Sequence, residues 1–567
     1  MKRRNFLKKV GFAAGAPIAF QGVPLQLLAS HQDVQHIAQQ STNDRVLIIL
    51  QLHGGNDGLN TIIPISNYDE YYSRRANIAI PYKVGNRTLI PLDSTVASEE
   101  QVGLHPDMND FKYLYDTGKA AVFQGVSYEN NNGSHFRGRD IWFMGGDADD
   151  YFSSGWVGRY LGKEYEPATY PEDFPTSDMP DPLALEMGND VSLLFHQEGN
   201  IPTSISLGSS PGNVANLIEQ LEGYVDEGVD PRGTPPDFLN NSPYGKEMEW
   251  ILGLEDKSET YIKRLVEVYD AGSETSVSYP ENYPFNSPDG SKRNPLSGQL
   301  RLVARLLEGG IKTKVFLVKM GGFDTHASQV ESYDPTMGVH SALLYHISSA
   351  MRAFQQDLRS RGIEDRVLTI SMSEFGRRVG SNGSYGSDHG TGGPVMMFGL
   401  GVKPGIYGTV PDVSQSNVGM QFDYRQIYAN ILHEWMGVDT SVIENDIFFR
   451  DFIQGPNPAG GSYEPMNLIK EVILSEKEYI KRKYRIESVY PNPASNYTQT
   501  KIIVNNYQDV KVELINMAGV KVSEINRRVA PGEHVFSFML DGLKPGFYFV
   551  KAKSEMLNDT KRLIIRK

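Results

Sequence analysis

The stretch "KVFLVKMGGFDTH", residues 314–326, decides how the chain is read. Its apolar run is short, β-branched and continuous rather than alternating, which is the pattern of a strand buried on both faces. The run stops at two glycines. Asp324 and His326 follow, two residues apart, so in extended chain both side chains aim to the same side. A polar pair placed where a buried strand ends is either a ligand set or the polar edge of a sheet.

Three more apolar runs repeat the arrangement: "RVLIILQL" (45–52), "AAVFQGV" (120–126) and "RVLTISM" (366–372). Helical periodicity lies between them, in "NPLSGQLRLVARLLEGG" (294–310) and "HSALLYHISSAMRAFQQDLRSRG" (340–362), each closing on glycine. Buried strands alternating with helices predict an α/β domain: a mostly parallel sheet with helices on both faces, over residues 45–452. Residues 225–296, rich in Pro, Gly and Asn around a charged helix, read as an insertion over the sheet. Residues 453–483 read as a linker. From residue 484 the pattern changes to alternating strands such as "KVELINM" and "GFYFVKAK" between Gly, Asn and Asp turns, predicting a small C-terminal antiparallel β-sandwich.

The 567 residues carry a formal charge of −14 with 40% apolar and 22% charged residues, a soluble globular balance. The acidity argues against nucleic acid as a partner, which needs a basic face. There is no cysteine, so disulfides, thiolate ligands and a cysteine nucleophile are excluded. Residues 1–30 have a basic head, a modest apolar stretch and small residues near the end, the layout of an export signal peptide. Arg3-Arg4 followed by Phe6-Leu7-Lys8 resembles a twin-arginine signal, with Lys2 where Ser or Thr is usual; a general export signal that happens to hold two arginines is the alternative. No segment is long and apolar enough to span a membrane in the mature chain.

Each apolar run leads into a polar cluster: "HGGNDGLN" (53–60), "GSHFRGRD" (133–140), "GGFDTH" (321–326) and "SEFGRR" (373–378), with "GSDHGTGG" (386–393) a little later. Ligands of open α/β sheets gather at the carboxyl ends of the strands, so the clusters can meet in one crevice. Asp57, Asp324, His326, Asp388 and His389 are the candidate metal ligands. Carboxylates mixed with imidazoles suit Zn²⁺ or Mn²⁺ ahead of Ca²⁺ or Mg²⁺, which prefer oxygen alone. Arg137 and Arg377 are candidate clamps for an anionic group. Quieter roles stand beside these: Asp324 capping a turn, Ser134 capping a helix, Glu374 pairing with Arg377. His105 reads as a helix entrance and His433 as a packed helical residue.

Two resemblances add to this reading. "YPNPASN" (490–496), "VELINMAGVKV" (512–522), "LDGLKPGFYFVKAK" (540–553) and "KRLIIRK" (561–567) resemble the type A sorting domain of type IX secretion substrates. That implies transport by the export and type IX machinery to the cell surface or extracellular space. "QLHGGNDGLNTIIP", "LHPDM", "SHFRGRDIW", "GGFDTH", "SEFGRR" and "DHGTGGPVMMFG" resemble the domain-of-unknown-function family 1501, over roughly residues 45–450. The family is grouped with the alkaline phosphatase and sulfatase superfamily, which implies an alkaline-phosphatase-like fold and hydrolysis of anionic esters at bound divalent metal. The resemblance implies Asp57 as a first metal aspartate, Ser134 in the order position of the nucleophile, Asp324 with His326 as one ligand pair and Asp388-His389 as another. The superfamily's first pair is usually spaced wider, and no late histidine completes a second metal. The expected function is a secreted or surface-bound metal-dependent hydrolase of a small-molecule or glycan anionic ester, phosphate ahead of sulfate. In it Ser134, Arg137, Glu374 and Arg377 would serve catalysis. The alternative is a non-catalytic surface protein of the same fold that binds glycans or envelope partners.

Overall fold

The computed structural model describes residues 44–207, 260–470 and 485–566, apart from 189–190, 200, 289, 505–507, 518, 531 and 555–556, together with Ala19–Phe20 and Val23–Pro24. It divides into two compact units, Met1–Lys470 and Glu471–Lys567. Most of the export-signal segment, the linker beyond Lys470 and residues 225–259 of the expected insertion lie outside the described residues.

The first unit is built on a nine-stranded sheet. In chain order its strands are β1 (Val46–Leu52), β2 (Ala120–Ser127), β3 (Ala184–Glu186), β4 (Ser204–Ser206) and β5 (Val315–Met320). They are followed by β6 (Val367–Met372), β7 (Gly393–Phe398), β8 (Gly405–Tyr407) and β9 (Phe422–Asp423). The spatial order is β4-β3-β5-β1-β6-β7-β2-β8, with β9 also on β2. The pairs β4/β3, β3/β5, β5/β1, β1/β6, β2/β8 and β2/β9 are parallel; β7 runs antiparallel to both β6 and β2. β7 is therefore the one reversed strand of this sheet, and β2 again runs with β1.

That single reversal positions the site. The carboxyl ends of β1, β2, β5 and β6 share one edge of the sheet, and the amino end of β7, preceded by "SDHG", arrives at the same edge.

All seven residues of β1 are buried because helices cover both faces. Leu47 and Ile49 join one core; Val46, Ile48, Leu50 and Leu52 join the other, the period-two alternation of a strand. The first core takes residues from α2 (His135–Met144), α3 (Trp156–Glu164) and α6 (Tyr424–Ile431). The second takes residues from α1 (Asn109–Asp116), α4 (Pro295–Glu308) and α5 (Val339–Ser360). Asn294 caps α4 by accepting from the Leu296 amide at 3.0 Å, with Pro295 at the first helical position. Burying one aliphatic side chain in such a core contributes about 1.5–3 kcal/mol.

One expectation about organisation is corrected. Residues 453–470, read as linker, are part of the first unit: Ile453, Tyr463 and Leu468 are buried in its core, and Leu468 O accepts from the Lys403 amide at 2.7 Å. Glycine and proline there mark an irregular but packed segment. The described end of the expected insertion is also packed, with Leu265 and Val268 in the second core.

The second unit is an antiparallel sandwich. β10 (Arg485–Tyr490), β11 (Tyr497–Val504) and β14 (Gly532–Met539) form one sheet; β12 (Gln508–Asn516), β13 (Lys521–Val529), β15 (Gly546–Lys553) and β16 (Asn558–Ile565) form the other. Ile502 and Phe536 of the first pack with Val512 and Val550 of the second. The exposed residues alternate with the buried ones along β11, as a sheet with one wet face requires.

Candidate metal centre

The loops at the shared strand edge approach closely. Gly54, after β1, has φ +124°, and a Cβ there would stand 2.2 Å from the Asp324 backbone nitrogen. Only glycine lets these two loops touch. Arg377, after β6, lies fully buried between them. Its Nε donates to Gly55 O at 2.8 Å and its Nη1 to Ser387 O at 2.5 Å. Its Nη2 donates to Gly54 O at 2.6 Å, Phe323 O at 3.1 Å and Asp324 Oδ1 at 2.8 Å. One guanidinium thus ties together the loops after β1 and β5 and the one before β7.

Asp324 is the hub. Burial pushes its pKa up, but the hydrogen bond and charge of Arg377, with His326 and His135 nearby, bring it down to about 2. His326 Nδ1 stands 2.6 Å from Asp324 Oδ1, and both side chains are roughly half exposed. His135 Nε2 and His389 Nε2 face the same oxygen at 3.5 and 3.7 Å. Neither Nε2 has a hydrogen-bond partner among the described residues, although both are buried.

The far side of each imidazole is fixed. His135 Nδ1 lies 2.8 Å from Glu374 Oε1, and His389 Nδ1 lies 2.6 Å from Gly133 O. A carbonyl or carboxylate at Nδ1 takes the ring proton and leaves the lone pair on Nε2, the usual second-shell support of a metal-binding histidine. Burial pushes the His389 pKa down, and the neighbouring positive groups add to this, so the ring stays neutral. Glu374 is in turn held by the Gly54 amide at 2.8 Å.

His135, Asp324 and His389 offer three ligand atoms within 4.8 Å of one another. Ligands about 2.0–2.2 Å from a tetrahedral ion stand about 3.3–3.6 Å apart. The 3.5 and 3.7 Å separations from Asp324 Oδ1 agree with that, and they are too long for hydrogen bonds. Orphaned imidazole nitrogens around a deprotonated carboxylate fit a divalent cation such as Zn²⁺.

The other candidate residues are placed differently. Asp57, capping a short helix, sits in a buried ion pair with Arg75 and accepts from Gln329 Nε2 at 2.5 Å. Burial raises its pKa, yet Arg75, His340 and these hydrogen bonds together lower it. It is ionised but already compensated. Asp388 is exposed and accepts from Asn382 Nδ2 at 3.1 Å, outside the three-ligand group. Ser134 is the N-cap of α2, its Oγ accepting from the Arg137 amide at 3.4 Å. Arg137 donates to the carbonyls of Ala148 and Asp150 and covers the Tyr151 ring, so it is not placed as a clamp. Arg377 is likewise bound to backbone and Asp324. Glu374 pairs with His135, not with Arg377.

His135 lies within the "GSHFRGRD" cluster but carries no ligand spacing of its own, and Arg75, Gln329 and His340 carry no signal in the sequence. His340 opens α5 and donates from Nε2 to Asn56 Oδ1, 3.1 Å away, under the glycine loop. His105 is buried at the turn before α1, its Nδ1 accepting from the Asp107 amide at 3.1 Å.

Residues 254–445 match the family described as protein of unknown function DUF1501, and residues 488–566 match a secretion system C-terminal sorting domain. The first match contains Asp324, His326, Glu374, Arg377, Asp388 and His389. No curated protein matches the chain. Among solved structures, β-glucosidase from Kluyveromyces marxianus is 11% identical at TM-score 0.13, over 22% of this chain and 23% of that one. A protein in the alkaline phosphatase superfamily from Vibrio parahaemolyticus is 10% identical at TM-score 0.31, over 89% and 86%. The PsFucS1 sulfatase from Pseudoalteromonas sp. is 11% identical at TM-score 0.29, over 92% and 88%. No helix among the described residues is long and apolar enough to cross a membrane. The sorting domain directs the chain through type IX secretion to the cell surface or extracellular space. The chain thus carries one region similar to DUF1501 and, after it, one that matches a secretion system C-terminal sorting domain.

Proposed function

We propose that this exported chain is a hydrolase of an anionic ester, phosphate ahead of sulfate, dependent on one divalent metal held by His135, Asp324 and His389. The carrying observation is the pair of buried, partnerless Nε2 atoms aimed at one ionised carboxylate oxygen. His326 Nδ1, 2.6 Å from that oxygen, lies outside the three-ligand group and leaves a fourth position open. Two imidazoles and one carboxylate favour Zn²⁺ or Mn²⁺ over Ca²⁺ or Mg²⁺. When bound, such an ion polarises the ester oxygen and neutralises developing charge.

The protein's own groups have distinct tasks in this reading. Arg377 keeps Asp324 deprotonated and in place. Glu374 and Gly133 O hold the imidazole tautomers. His326, half exposed, is the group positioned to move a proton at the leaving oxygen. Water is the nucleophile, since Ser134 is turned into its helix cap. Arg3-Arg4 provide the route across the first membrane.

The test is turnover of p-nitrophenyl phosphate and p-nitrophenyl sulfate by the full chain with Zn²⁺, Mn²⁺, Mg²⁺ or Ca²⁺ added, beside His389→Ala. Zn²⁺- or Mn²⁺-dependent phosphate release, lost in the variant, is expected. A folded protein inert towards both esters with every ion would sink the hydrolase reading in favour of a binding protein.

A further inference from the structure

Beside the metal centre lies a cavity of about 460 Å³, within the size range of small-molecule sites. It adjoins the centre through His53, whose ring stacks on His135 with centroids 6.2 Å apart. Its floor follows from strand register. Gln51 of β1 pairs with Lys319 of β5, and Leu317 of β5 pairs with Glu186 of β3. Leu47, Ile49, Val315, Leu317 and Ala184 belong to the first core, so by alternation Gln51, Lys319 and Glu186 point to that same face. At the carboxyl edge of the sheet this face therefore changes from aliphatic to polar.

The charges in the cavity are already compensated. Lys319 is paired with Glu186, which also accepts from the Ser192 amide at 2.8 Å. Arg139 has its neighbour Asp140 at 3.6 Å. Gln51 differs: it is 3% exposed, and its side-chain amide has no hydrogen-bond partner among the described residues. Its amide lines the cavity, so a ligand filling that space must replace the solvent that bonds it there.

We propose that this cavity binds the alcohol part of the substrate, and that this part is a sugar; the inference rests on the hydrolase reading above. A sugar hydroxyl both donates and accepts, which suits an amide, a hydroxyl and paired ions set close together. A second phosphate would find no uncompensated cation, and an alkyl chain would leave the Gln51 amide unsatisfied. The rim fits as well. Phe136 shares one face of α2 with the cavity-lining Asp140 and Phe143 and is 75% exposed, an apolar ring next to the cavity that can meet the carbon face of a pyranose.

The experiment is calorimetric titration of the metal-loaded full chain with a panel of hexose and hexosamine 6-phosphates and 6-sulfates. Butyl phosphate, butyl sulfate and inorganic phosphate serve as equal-chemistry controls, and Gln51→Leu and Arg139→Ala are titrated in parallel. At least one sugar ester should bind more tightly than the butyl ester of the same anion. Each variant should weaken that sugar ester about five- to tenfold, the worth of one or two hydrogen bonds, while leaving inorganic phosphate unchanged. Arg139 is partly exposed, so its variant remains informative if Gln51→Leu folds poorly. Butyl esters binding as tightly as every sugar ester, or a sugar preference intact in both variants, would overturn the proposal. Binding without turnover would leave the sugar site standing and remove the hydrolase reading instead.

Discussion

Asp57 and Asp324 make an instructive pair. Each follows a buried strand of the same sheet, β1 or β5, each lies beside glycines, and each is held ionised. Asp57 is enclosed with Arg75 and Gln329 as partners. Asp324 is half exposed, and besides Arg377 and His326 it faces the Nε2 atoms of His135 and His389. Both aspartates have a buried arginine partner, so what sets Asp324 apart is its exposure and the imidazole nitrogens gathered around one oxygen, which leave room for a further cation. The first aspartate stabilises the platform; the second is available for chemistry.

The strongest way to break this contrast is Arg75→Ala. Removing one partner of a buried pair leaves Asp57 as an uncompensated charge, and a loss of about 3–5 kcal/mol in unfolding stability is expected by denaturant titration. Metal content should survive wherever the variant still folds. A stability loss below the noise, or metal lost from a folded variant, would mean that Asp57 and the centre are one unit.

Next comes pH. His340 is buried beside Asn56 under the glycine loop, and burial, with Arg75 and Arg377 nearby opposing the pull of Asp57, brings its pKa down to about 4 from 6.5. The folded state therefore binds fewer protons than the unfolded one between those values. The stability from keeping this ring neutral is complete above pH 6.5 and is lost as pH falls towards 4, by about 3 kcal/mol in all. His340→Gln should flatten that part of the stability–pH curve; an unchanged slope would contradict the assignment.

Smaller effects sharpen the Asp324 side. Glu374→Gln keeps the shape but weakens the hold on His135 Nδ1, and metal affinity should fall about 10–100-fold in a chelator competition. The smallest change is expected for Ser134→Ala: about 1 kcal/mol of helix-cap stability, with ester turnover retained. Abolished turnover in that variant would restore Ser134 as the nucleophile.

Most of the platform was legible because it depends on local pattern. The apolar runs, the glycine stops and the periodic helices at 295–308 and 339–360 follow from short-range spacing. The reversal of β7 was not legible, since "GPVMMF" is as continuously apolar as a parallel strand and its direction is set by its neighbours. Residues 453–470 misled for the opposite reason: turn-rich composition hides buried Tyr463 and Leu468. Within the site, Asp324, His326 and His389 stood out because polar residues interrupt apolar runs there. Arg75 did not, because an arginine 18 positions from Asp57 carries no periodic signal, and its role exists only in the folded chain. Arg137 and Arg377 were read as clamps since sequence reveals a cation but not the carbonyls that occupy it.

The central claim is most directly tested by metal content. Elemental analysis of the purified full chain after reconstitution with Zn²⁺ or Mn²⁺ should find about one equivalent, as a single three-ligand group with an open fourth position implies. His135→Ala and His389→Ala should each lose it while still unfolding cooperatively, near the denaturant midpoint of the metal-free wild type. A chain that stays metal-free after reconstitution, or variants that keep the metal, would contradict the account.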